Sequence, residues 1–224
     1  MHPAQPGGLG PSADKAVLDL FSPDRLNPYL TACSGDLHAA LALYRWNSEI
    51  SAAFFESLGY LEVMLRNALD ARLVARHAHR GSGDDWFTDL AVPLSVEARD
   101  DITKAQGRAA RGSKGSPVPR GKVIAELGFG FWRFLLARQY KTTLWPDLAG
   151  AFPLAPKRAL YVVEDPVKRL HAFRNRIAHH EGIWHLPLAK RWDDIQALLG
   201  FIGPAAADWV TDSSRIDDVL ARRP

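Results

Sequence analysis

From Leu37 to about His79 an apolar side chain recurs at every third or fourth position, and this run constrains the fold more than any other feature. Leu37, Ala40, Leu41, Tyr44, Ile50, Phe54, Leu58, Leu61, Met64, Leu65 and Leu69 hold the spacing. Such a pattern winds onto one face of an α-helix and scatters over both faces of a strand. A helix this long must cover its apolar stripe with other helices. One continuous helix or two in line both satisfy the run, with Gly59 the expected kink.

The remaining segments agree with a helical chain. Ser22-Pro23-Asp24 opens a helix to about Ala32. Ser95 caps a charged helix to about Ala105, with Arg99 and Lys104 outward. Val123 to Tyr140 reads as one aromatic helix, whose Phe129, Phe131, Trp132 and Phe134 suit a core or a dimer interface. Leu144 to Pro156 is a proline-punctuated connector, and Lys157 to Val163 a short helix. Ala189 to Gly200 is amphipathic around Trp192, Ile195, Leu198 and Leu199, and two short helices follow the break at Pro204. Gly81 to Asp84 reads as a turn, after which Asp85-Trp86-Phe87 packs an aromatic pair back onto the helices. No segment alternates at period two and no internal repeat is evident, so the expected fold is all-α.

Met1 to Ser12 lacks apolar residues to bury and is expected to be a disordered tail. Residues 13–224 then form a single domain, a size that buries a real core. Cys33 is the only cysteine, so no intramolecular disulfide forms. The N-terminus lacks the order of a secretory signal, and no apolar run reaches the ~20 residues of a membrane span. A cytoplasmic protein is expected, without membrane attachment. The net charge of +3 permits a nucleic-acid partner without requiring one.

Chemistry concentrates between His171 and Glu181. Asp165-Pro166 is a suitable N-cap and first-turn pair, and Gly182 a suitable stop, for a helix whose apolar face carries Val167, Leu170, Phe173 and Ile177. On the polar side Lys168, Asn175 and His179 fall within roughly 40° of one another, with His171 beside them and Arg174 at the edge of the stripe. Arg176 and His180 form a second polar row.

Arg174-Asn175-Arg176-Ile177-Ala178-His179 resembles the R-N-x-x-x-H motif of HEPN-type ribonucleases. Three earlier stretches look like the abortive-infection (Abi) branch of that superfamily: Leu43-Tyr44-Arg45-Trp46-Asn47, Leu61 to Ala68 and Gly121 to Trp132. The likeness runs from about Ser22 to Leu199. It implies a HEPN-like bundle with long antiparallel helices and additional short ones. It also implies a homodimer with paired motifs in a shared cleft, and metal-independent endoribonuclease activity in phage defence or as a toxin of a toxin-antitoxin pair. Some members of the family are held inactive by a partner, in certain cases a structured small RNA.

Metal-free RNA cleavage needs a proton acceptor for the 2′-hydroxyl, a proton donor for the leaving 5′-oxygen and a cation for the phosphorane. His179 suits proton transfer, Arg174 the phosphate, and Asn175 the positioning of either. Five residues put Arg174 and His179 about 140° apart on an ideal helix. Either the helix unwinds near His179 or two copies of the chain build each site together.

Glu62, Arg66 and Asn67 admit two readings: an intrahelical Glu62–Arg66 ion pair, or a polar face that supports the site. His180 and Glu181 are further supporting candidates. Between Gln106 and Lys122 the chain carries Arg108, Arg111, Lys114, Arg120 and Lys122 and no acid. This reads as a flexible basic loop that tracks phosphates, of substrate or of an inhibitory RNA, or as a solvated connector. Lys168 and Arg176 are further candidate RNA contacts. His180, Glu181 and His185 lack metal-ligand spacing, no phosphate-binding glycine loop or G-x-S-x-G elbow occurs, and no metal or cofactor is expected. The alternative to catalysis is an RNA-binding module of the same fold.

Overall fold

A computed structural model describes residues 20–80, 85–111 and 116–224. The expected tail at 1–12, the turn at 81–84 and Lys114 lie outside the described residues. Among these residues every regular element is helical and no strand occurs, so the chain is all-α. The helices are α1 Pro23–Ala32, α2 Leu37–Arg80, α3 Val96–Ala110, α4 Arg120–Glu126, α5 Phe129–Leu135, α6 Trp145–Leu148, α7 Leu160–Ala178, α8 Leu188–Ile202, α9 Pro204–Ser213 and α10 Ile216–Leu220. Short 3₁₀ turns lie at Arg138–Tyr140, Ala149–Ala151 and Pro156–Arg158.

The long apolar run forms one helix of 44 residues that passes through Gly59 unbroken. Ile50, Phe54, Leu58, Leu61, Leu65, Leu69 and Leu73 are its buried stripe, and each fully buried side chain of this size contributes roughly 1.5–3 kcal/mol. The expected aromatic helix from Val123 to Tyr140 is instead α4, α5 and a 3₁₀ turn. The break falls at Leu127–Gly128, where the Leu127 carbonyl accepts a hydrogen bond from buried Trp132 Nε1 at 2.9 Å. A local side-chain bond, from five residues on, thus takes over a carbonyl that a continuous helix would have used.

The chain divides into two compact units. One contains α1, α2 as far as Phe54, residues 182–186 and α10. Its centre is aromatic: Tyr29 meets Tyr44 at 5.1 Å and Trp184 at 5.6 Å between ring centroids. Burial pushes the Tyr29 hydroxyl up to about 12, with Tyr44 adding to the shift and Arg25 opposing it. Trp46 Nε1 donates to the Val219 carbonyl at 2.8 Å and ties α10 to α2. Asn47, also buried, accepts from the backbone N–H groups of Ile183 and Trp184 at 2.8 and 3.0 Å.

The other unit holds α2 from Phe55 onward, residues 85–181 as far as they are described, α8 and α9. Within it α8 packs on α7 and α9, α5 packs on α7, and α3 packs on α4 and α5. Trp86 is fully buried, stands edge-on to Trp132 at 6.2 Å, and donates from Nε1 to Asp70 at 2.8 Å. Ser95 caps α3 as expected, its hydroxyl accepting from Ala98 N–H. Arg99 is not directed outward: its guanidinium donates to the carbonyls of Leu90 and Val92 and closes the preceding turn.

Candidate functional site

The helix that carries the motif, α7, begins five residues before the expected Asp165-Pro166 start. Leu160 and Val163 continue the apolar stripe of Val167, Leu170, Phe173 and Ile177, and all six are buried. Pro166 forfeits one intrahelical bond, but its ring is buried on the same face. Hydrophobic phase overrides the local start signal.

The helix stops at His179 rather than at Gly182. His180 takes a left-handed conformation, φ +56°. Its N–H bonds to the Ile177 carbonyl and that of Glu181 to Arg176, both within 2.9 Å, which is a Schellman ending. Gly182 serves close approach instead: a Cβ there would sit 2.9 Å from Tyr29 Oη and 3.2 Å from Trp184. The N–H of His179 still reaches the Asn175 carbonyl at 2.9 Å. Unwinding therefore begins only beyond His179, and the ~140° separation from Arg174 stands within one chain.

On the flank of α7 the Arg174 guanidinium lies over the Phe55 ring, 6.0 Å from its centroid. One turn earlier, His171 stands edge-on to Phe129 at 5.8 Å. Partial burial lowers the His171 pKa, and the positive charges of Arg133 and Arg174 lower it further. Arg133 and Phe55 did not stand out in the sequence, because each sits in an apolar run whose partner element was unknown. Asn175 is half-buried and His179 exposed, and neither side chain makes a hydrogen bond among the described residues. Both remain available to a ligand.

The supporting candidates separate. Of the two readings of Glu62 and Arg66, the intrahelical ion pair does not form among the described residues; Arg66 Nε reaches only Asn67 Oδ1, at 3.4 Å. Residues 62 and 66 each lie within roughly 20° of residue 55 around α2, so Glu62 and Arg66 lie along the line that Phe55 starts. Asn67 is exposed. His180 forms the turn, and Glu181 pairs with Arg176 at 3.1 Å, both about half exposed.

The basic stretch read as a phosphate-tracking loop or a solvated connector is only partly a loop. Helix α3 runs on to Ala110 and α4 starts at Arg120, which leaves a shorter connector than the expected Gln106 to Lys122. Arg108 donates to the Glu126 carboxylate and carbonyl at 2.9 and 2.6 Å. Arg120 donates to both Asp70 oxygens at 2.9 and 2.6 Å and also to Asp85. The Asp70 hydrogen bonds, with help from Asp85, hold its guanidinium far above the ordinary range despite partial burial. These two arginines are committed internally, to acids outside the window that a local charge reading does not see. Arg111 and Lys122 remain exposed. Lys168 lines a cavity of about 590 Å³ at the start of α7.

Among the described residues no three His, Cys, Asp or Glu side chains converge in a way that would hold a metal ion. No described helix is long and apolar enough to cross a membrane. Compared with protein-family models, curated proteins and solved structures, the chain matches none. Its fold and site define, by their own geometry, an all-helical protein with an exposed imidazole at the end of a helix whose flank is cationic.

Proposed function

We propose that the protein is a metal-independent endoribonuclease of the HEPN type, homodimeric and cytoplasmic, acting in abortive infection or as the toxin of a toxin-antitoxin pair. The observation that carries this reading is the pair of guanidiniums, Arg174 and Arg133, acting on the His171 imidazole beside the uncommitted Asn175 and His179. Two guanidiniums close to one imidazole suit an anionic phosphate.

In the reaction, His179 removes the proton of a ribose 2′-hydroxyl and the oxygen attacks the adjacent phosphorus. Arg174 neutralises the charge that builds on the phosphorane. The 5′-oxygen departs with a proton from water, leaving a 2′,3′-cyclic phosphate and a 5′-hydroxyl. Since Arg174 and His179 diverge on one helix, each phosphate meets Arg174 of one copy and His179 of the other, and a two-fold dimer builds two such sites.

That same divergence within one chain favours a second reading, an RNA-binding module without catalysis. Incubating the protein with RNA in EDTA separates the two. Cyclic-phosphate ends from the native chain, abolished in His179→Ala, support the nuclease. RNA bound in a salt-dependent manner but left intact supports the module, and cleavage undiminished in His179→Ala removes His179 from the mechanism.

A further inference from the structure

The cavity of about 590 Å³ is lined by Arg138, Lys141, Trp145, Ala159, Leu160, Tyr161, Glu164, Asp165 and Lys168, and we infer that it is a nucleotide-binding site, separate from the motif at the other end of α7. Its size is ordinary for a small-molecule site. Its chemistry is divided: Arg138, Lys141 and Lys168 outnumber the carboxylates of Glu164 and Asp165 and suit a phosphate, while Tyr161 offers aromatic surface to a base.

The two aromatic rings differ in a useful way. Trp145 is buried, stacked on Phe152 at 6.1 Å, and fixed by its Nε1 donating to the Arg158 carbonyl at 3.2 Å. That bond holds a chain turn in which Lys157 and Arg158 both adopt left-handed conformations, φ +52° and +46°. Tyr161, by contrast, is 65% exposed at the first turn of α7, a large ring with no core to fill. Glu164 does not simply cancel the cations, since it accepts the Arg138 backbone N–H at 3.1 Å and holds the segment that presents Arg138 and Lys141. A phosphate placed on the cations with a base on Tyr161 satisfies both halves of the lining. Inorganic phosphate or an apolar ligand satisfies one.

The nucleotide has two sources, a free mononucleotide or one unit of an RNA strand. Tyr161, Lys168, Asn175 and His179 share a face of α7 within roughly 40°, and all but half-buried Asn175 are exposed. From residue 161 to residue 179 the helix rises about 27 Å. A strand of several nucleotides spans that length and a mononucleotide does not.

Calorimetric titration of the full-length chain with AMP, adenosine, inorganic phosphate and a 2′-O-methyl pentanucleotide tests the site without any cleavage. AMP is expected to bind at least about tenfold more tightly than either adenosine or phosphate, and Lys141→Ala and Tyr161→Ala each to weaken it by about tenfold. Both side chains are exposed, so neither variant threatens folding. AMP binding no tighter than adenosine or phosphate, or binding by either variant as tight as by the native chain, overturns the assignment. A pentanucleotide that binds more tightly than AMP identifies the RNA strand as the source; equal or weaker binding identifies the free nucleotide. His179→Ala is expected to bind AMP as the native chain does, so loss of the nuclease reading and loss of this site are separate outcomes.

Discussion

Asn47 accepts a hydrogen bond from the backbone N–H of Ile183 at 2.8 Å, across 136 positions of sequence. The same oxygen takes the Trp184 N–H at 3.0 Å, and Asn47 is only 6% exposed. Three residues after the turn at His180, the chain is held by one side-chain amide.

Asn47→Ala leaves two backbone donors without a partner, one of them fully buried, and is expected to cost about 2–3 kcal/mol. Asn47→Asp keeps an acceptor in place and is expected to cost less. Urea unfolding reads both as a lower midpoint at unchanged slope. Equal losses in the two variants would show that the acceptor is not what matters.

His180 pays for its position with backbone strain. A non-glycine residue at φ +56° costs about 1–2 kcal/mol relative to one that adopts the region freely. His180→Gly is therefore expected to raise stability by about 1 kcal/mol, measured by chemical denaturation. A destabilised variant would mean that the imidazole makes compensating contacts. Since strained residues cluster at functional sites, a gain in stability accompanied by a loss of RNA cleavage would place the turn in the mechanism.

Elements set by one local signal were legible in the sequence, and those set by a distant partner were not. The apolar phase of Leu37 to Leu69 needed nothing else to specify α2, and Ser95 was legible as a cap because the N–H that donates to it is three residues away. Asp165-Pro166 misled, because Leu160 and Val163 already carried the phase of α7 and a buried proline ring was tolerated. Arg108 and Arg120 misled for a different reason. Their partners Glu126, Asp70 and Asp85 lie 18 to 50 residues away, beyond the reach of a local charge count. Arg133 beside His171, and Tyr161 beside Trp145, are juxtapositions of separate elements that no spacing announces.

His171 gives stability a pH dependence of definite sign. Burial first, then Arg133 and Arg174, lowers its pKa below the ordinary value of about 6.5. As pH falls through that value the unfolded chain takes up a proton that the folded chain still refuses, so stability declines on the acid side and is fully present above it. Melting temperatures of native and His171→Gln protein at pH 8 and pH 5 test this. The variant is expected to lose less on acidification than the native chain. Parallel losses would assign the acid sensitivity to other groups.

The shared-site proposal makes a prediction that no single-chain mechanism shares. Arg174→Ala and His179→Ala are each expected to be inactive as homodimers, because every site lacks one essential group. Mixed and allowed to exchange, half of the dimers become heterodimers, and in each of these one site combines the intact Arg174 of one copy with the intact His179 of the other. The mixture should recover about a quarter of native activity, half of the dimers with one of two sites working. The variants are exposed or half-buried at these positions, so loss of folding does not imitate the result. Restoration at that level, read as cyclic-phosphate ends per chain, requires Arg174 and His179 to act across the interface. A mixture as inactive as its parents, with exchange verified by light scattering of tagged chains, places both residues in the same copy.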